Sequence, residues 1–208
     1  MNTPDLPSLP TQDLARDLPA APERLAALHE RLAAAAAAAG LLDIAHRNLD
    51  TPVGSLLLAT TELGLVRVAY ASENHESVLQ TLADRISPRV LNAPKRLDAV
   101  ATELDEYFSG RRRSFDLTLD WRLSAGFRST VLHHLADDLA YGQTASYGTV
   151  AQMAGNPRAV RAVGTACATN PIPVVVPCHR VVRADGSMGN YLGGPDAKRT
   201  LLTLEAAA

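Results

Sequence analysis

The chain has 208 residues, enough for one domain or two small ones sharing an interface, and its 47% hydrophobic and 20% charged content is that of a globular protein. No apolar run approaches the roughly 20 residues that would cross a bilayer, so no membrane partner is expected. Two cysteines, Cys167 and Cys178, are too few for a disulfide framework or a cysteine-rich zinc module.

A net charge of -2 argues against a uniformly basic nucleic-acid binder, yet the charge is segregated. Residues 1–126 hold 13 basic and 17 acidic side chains, and the remainder 7 and 5. Between Leu139 and Ala184 there is no acidic residue, while Arg158, Arg161, Arg180 and Arg183 are present, which leaves room for a local anionic partner.

Residues 1–22 carry five prolines among mostly polar residues and read as a disordered leader. That start is acidic and unlike a signal peptide, so a cytoplasmic location is expected. Residues 23–40 read as an N-terminal helix, with Pro22 suited to its entry and Gly40 to its C-terminal cap. Residues 41–123 read as an α/β domain. LLDIAHRNLD, VGSLLLATT and LGLVRVAYA form short strands of an antiparallel meander, followed by helices from about His75 to Ile86 and Lys95 to Ser109.

Residues 124–208 change character. Phe127, Val131, Leu132, Leu135 and Leu139 recur at helical spacing. SYGTVAQMAG and PRAVRAVGTACATN then form two short helices broken by Gly155, Asn156 and Pro157, a helix-turn-helix candidate. Ala159, Ala162, Gly164, Ala166 and Ala168 would let the second helix approach another surface closely, with Arg161 projecting from it. Cys167 among these alanines reads as a packing residue.

The segment NPIPVVVPCHRVV is the most informative. Val174, Val175 and Val176 predict a short buried strand that Pro177 stops before Cys178. In extended structure the neighbouring His179 points to the opposite face, so a proton would pass from sulfur to imidazole through a bridging water. A thiol in apolar surroundings needs such a base before it becomes a nucleophile.

PCHRVV, preceded by NPIPVVV and followed by GSMGNYLGG, resembles the O6-alkylguanine-DNA alkyltransferase family over about Phe127 to Glu205, and more loosely over Leu42 to Trp121. The resemblance implies an α+β protein with a small antiparallel-sheet, ribonuclease H-like domain and a mainly helical, winged helix-turn-helix-like domain carrying the PCHR strand. It implies irreversible, single-use transfer of an alkyl group from O6 of guanine, and O4 of thymine, in double-stranded DNA to Cys178. His179 would be the base, Glu205 the carboxylate orienting it, and Asn170 a support. Tyr147, Arg161, Ala162, Gly164 and Arg158 would meet DNA. Tyr147, Val181, Met188, Tyr191, Leu192 and Gly193 would line the base pocket.

Two departures stand out: Leu192 occupies a position where a small residue is the commoner pattern, and the N-terminal cysteines that hold zinc in some relatives are missing. No metal or cofactor is expected, and the protein is expected to be a monomer.

Overall fold

The computed structural model describes residues 21–206, so the expected leader lies outside them except for its last two positions, which begin helix α1 (Ala21–Ala38). This helix is peripheral: Ala33 and Ala36 pack on the core and Glu30 pairs with Lys95, while Leu25, Leu28 and Leu32 remain exposed.

The meander forms as β1 (Ile44–Thr51), β2 (Gly54–Thr61) and β3 (Gly64–Tyr70), both pairings antiparallel. Thr51 makes the first turn, its hydroxyl donating to the Gly54 carbonyl at 2.6 Å and accepting the Val53 amide at 3.2 Å. Helix α2 (His75–Arg85) follows, its first turn capped by the Asn74 side chain, which accepts the Glu76 and Ser77 amides. The purely antiparallel sheet needs correction. A three-residue strand, β4 (Val90–Asn92), lies parallel to β1, giving the order β3-β2-β1-β4. The segment expected as one helix from Lys95 starts as a 3-10 turn, Pro94–Leu97, and only then becomes α3 (Asp98–Phe108).

Strand β2 is apolar at successive positions because both of its faces are covered. Leu57 and Ala59 join Ile44, Val66 and Ala69 under Val78 and Leu82 of α2. Leu56 and Leu58 face the other way, onto Val100 and Leu104 of α3 and the second half of the chain. Each such leucine contributes about 1.5–3 kcal/mol relative to exposure. This second cluster runs unbroken from Leu42 to Leu201, so the two halves share one core.

A 3-10 turn, Trp121–Leu123, leads into α4 (Gly126–Asp138), with Val131, Leu132 and Leu135 buried as their spacing predicts. Helices α5 (Tyr147–Met153) and α6 (Val160–Ala168) flank the breaker cluster Gly155, Asn156 and Pro157. The two-residue strands β5 (Ala145–Ser146) and β6 (Val181–Val182) pair in parallel and tie the entrance of α5 to the segment after His179. Helix α7 (Gly194–Ala206) closes the fold.

The expected strand at Val174–Val176, and with it the PCHR strand, is absent. The segment is buried, but Val174 takes a φ of 73°, Pro173 and Val176 meet in a single bridge, and Cys178–Arg180 is a 3-10 turn. Pro171, Pro173 and Pro177 remove three amide donors within seven residues, so no ladder can run through them.

Candidate active site

Asn170 organises the turn that carries the thiol. Its Oδ1 accepts the Ile172 amide at 3.0 Å, while Nδ2 donates to the Val176 carbonyl at 2.9 Å and to Sγ of Cys178 at 3.1 Å. The Cys178 amide donates back to the Val176 carbonyl at 2.8 Å. Cys178 is only 2% exposed, and burial pushes its thiol up to about 11, against the opposing pull of the Asn170 hydrogen bond and the positive charge of Lys198. At neutral pH the sulfur is therefore a thiol, and a base must take its proton before it can attack.

His179 and Glu205 form a second buried unit. Burial pushes the Glu205 carboxyl up, but hydrogen bonds from His179 and Arg180, with their charges, outweigh it and hold the group at about 2. An ionised carboxylate only accepts, so Nε2 of His179 is the protonated nitrogen in the 2.9 Å contact with Oε1. In the neutral ring Nδ1 then carries the lone pair. It is buried without a hydrogen-bond partner among the described residues. Burial also lowers the His179 pKa, keeping the ring neutral and able to accept a proton.

Glu205 accepts further bonds from Tyr107 at 2.7 Å, from Nε and Nη2 of Arg180 at 2.9 and 2.8 Å, and from the Gly142 amide at 3.2 Å.

Lys198 on α7 is fully buried and donates to the Val181 carbonyl at 2.6 Å. Burial lowers its pKa, and Cys178 and Cys167 oppose that fall, so its ammonium charge is felt at the Cys178 sulfur. Cys167 lies in the core cluster, its thiol driven up by burial.

The loop after β6 packs against the core cluster that contains Cys178. Gly189 lies against Tyr147, whose Oη would be 2.5 Å from a β-carbon there. Tyr191 stands edge-on to His179, with centroids 6.3 Å apart, and its hydroxyl meets that of Tyr70 at 2.9 Å. Met188, Leu192 and Gly193 are half-buried in the same loop, whereas Val181 is wholly buried beside Cys178 in the core. Leu192 also borders a cleft of about 310 Å³ that it shares with Asn170, Arg67 and Arg128. Arg161 and Ala162 are exposed on α6 and Gly164 is half-buried, while Arg158 sits in the turn before the helix.

Two sequence profiles match in tandem. Residues 44–121 match "6-O-methylguanine DNA methyltransferase, ribonuclease-like domain", and residues 126–207 match "6-O-methylguanine DNA methyltransferase, DNA binding domain". The methylated-DNA--protein-cysteine methyltransferase of Mycolicibacterium paratuberculosis is 38% identical, over 78% of this chain and 92% of its own. The protein of that name from Methanosarcina barkeri is 37% identical, over 76% and 94%. The crystal structure of Mycobacterium tuberculosis OGT in complex with DNA superposes with a TM-score of 0.69 at 35% identity, over 78% of this chain and 93% of its own.

The chain belongs to the 6-O-methylguanine DNA methyltransferase family.

Helix α1 lies outside both matches, and the two 6-O-methylguanine DNA methyltransferase profiles meet at the turn that joins the halves. The first half also supplies side chains that sequence reading missed. Arg67 on β3 pairs with Glu73 and donates to the Pro171 carbonyl at 3.1 Å and, at 3.5 Å, to that of Asn170, clamping the turn that holds Cys178. The Val68 amide reaches the same Pro171 carbonyl at 2.9 Å. Tyr70, Tyr107 and Lys198 were missed because each acts on a partner distant in sequence, while Arg180, counted among the arginines open to an anionic partner, is instead buried and bound to Glu205. The one local hint was a charged residue, Lys198, on the apolar face of α7, four residues after Gly194.

Proposed function

We propose that the chain repairs alkylated duplex DNA by direct reversal, moving a methyl or other alkyl group irreversibly from O6 of guanine, and from O4 of thymine, to Sγ of its own Cys178. One observation carries this reading. Cys178, His179 and Glu205 are each buried, Nε2 of His179 meets Glu205 and Nδ1 is left without a partner among the described residues, which supports their acting as nucleophile, base and orienter.

In this mechanism Nδ1 takes the thiol proton through one bridging water, and Glu205 stabilises the imidazolium that results. Asn170 and Lys198 stabilise the thiolate. The sulfur attacks the alkyl carbon; the S–C bond forms as the C–O6 bond breaks, and the electron pair stays with guanine. The base takes a proton at O6 or N3 from the phenol of Tyr147. The thioether left on Cys178 has no leaving group for water to displace, so each protein acts once. No cofactor or metal takes part.

Chemistry on a base requires its removal from the stack. Arg161, exposed on α6, would occupy the space the nucleotide leaves, and Ala162 and Gly164 would let α6 press into the minor groove. Arg158 would meet a phosphate. Met188, Tyr191, Leu192, Gly193 and Val181 would border the extruded base. The protein works in this reading as a cytoplasmic monomer.

The test is a molar titration of a duplex containing one O6-methylguanine. Restored guanine should rise to one equivalent per protein and stop. Continued turnover, or no restoration despite tight binding, would contradict the proposal.

A further inference from the structure

The loop that carries Tyr191, edge-on to His179, is not held by the second half of the chain alone. Tyr70, the last residue of β3, is almost wholly buried and reaches across the shared core to it. Its hydroxyl meets that of Tyr191 at 2.9 Å, and the rings stand edge to face with centroids 5.8 Å apart. Tyr191 thus stands edge to face with both Tyr70 and His179.

The same Tyr70 ring fills the space above Gly193. A β-carbon there would lie 2.5 Å from two of the ring atoms, so loop and ring are packed as tightly as glycine permits. Tyr70 is itself anchored, because its amide donates to Oε1 of Glu73 at 2.9 Å and Glu73 is paired with Arg67.

We infer that Tyr70 is a specificity-determining residue, fixing Tyr191 and the Tyr191–Gly193 loop and thereby how far that loop can give way to the alkyl group transferred. The inference rests on the transfer reading above. A rigid aromatic wall braced from a second domain tolerates a methyl group and resists displacement by a larger one. Without the brace the loop can yield into the space where Tyr70 stood. Leu192, within this loop, moves with it.

The experiment compares transfer rates from two duplexes of identical sequence, one with O6-methylguanine and one with O6-benzylguanine, followed by intact-protein mass. In Tyr70→Leu the benzyl-to-methyl rate ratio should rise by roughly tenfold, the scale on which a hydrocarbon pocket discriminates size. Tyr70→Phe keeps the ring and removes only the hydroxyl pair. Its ratio should rise by about threefold, and Tyr191→Phe should add nothing further, since both remove the same bond.

A ratio unchanged in both Tyr70 variants, with the two rates falling together, would reduce Tyr70 to packing and overturn the inference. Should Tyr70→Leu fail to fold, Tyr70→Phe with its double variant decides alone. A wild-type protein inert toward both duplexes would instead overturn the transfer reading and this inference with it.

Discussion

Tyr107, on α3 in the first half of the chain, donates its hydroxyl proton across 2.7 Å to Oε1 of Glu205, on the last helix. The oxygen that orients His179 is therefore also a bond between the two halves. With Tyr70 and Arg67, Tyr107 makes the first half a structural part of the site around Cys178, His179 and Glu205.

Replacing Tyr107 with phenylalanine isolates that bond. The ring keeps its packing with Phe108, Phe115 and Tyr141, and Glu205 keeps its donors from His179 and Arg180. Denaturant unfolding should show a loss of about 1–2 kcal/mol, while transfer stays within a few-fold of wild type. A loss of transfer as large as in Glu205→Gln would contradict this division of roles.

Acid should weaken the fold through Glu205. Its folded-state value of about 2 lies below that of an unfolded carboxyl, so its contribution is present above about pH 4.5 and lost as pH falls toward 2. The amount is on the order of 3 kcal/mol. Urea melts between pH 7 and pH 2 should fall more steeply for wild type than for Glu205→Gln, which starts lower. Equal slopes would show that Glu205 is not the group responsible.

Lys198 should act on the sulfur through its charge. Burial has already pushed the Cys178 thiol up to about 11, and Lys198→Met removes an opposing pull. The pH profile of Cys178 alkylation by a small electrophile should move upward, and the rate at fixed neutral pH should fall by about tenfold for each pH unit the profile moves. An unchanged profile would leave Lys198 only its bond to Val181.

Arg161 is expected to matter only when DNA is present. Extruding a base from a duplex costs a few kcal/mol, so Arg161→Ala should slow transfer from duplex by roughly a hundredfold. Its reaction with a small electrophile and its melting temperature should match wild type, because the side chain is exposed on α6. Equal slowing with both reagents would place the defect at Cys178 instead.

The frame of the fold was legible where neighbours in sequence are neighbours in structure. The meander followed from short apolar runs and turn residues at Asp50–Pro52, and α5 and α6 from the breakers at Gly155–Pro157. The valine run before Cys178 misled because β-branched residues read as a strand, whereas three prolines and the Asn170 side chain impose a turn. Strand β4 is too short to carry a pattern, and β5 and β6 exist only because residues 36 apart meet. At the site, Cys178, His179, Asn170 and Glu205 stood out through a motif. Tyr70, Tyr107 and Arg67 could not, since only the folded core brings them there.

Intact-protein and peptide mass spectrometry after mixing with a duplex bearing one O6-methylguanine, alongside Cys178→Ala, tests the central claim most directly. The account predicts a single added methyl group that maps to Cys178 and is missing in the variant. A methyl group on Cys167 or elsewhere, or an unmodified protein bound to the lesion, would contradict it.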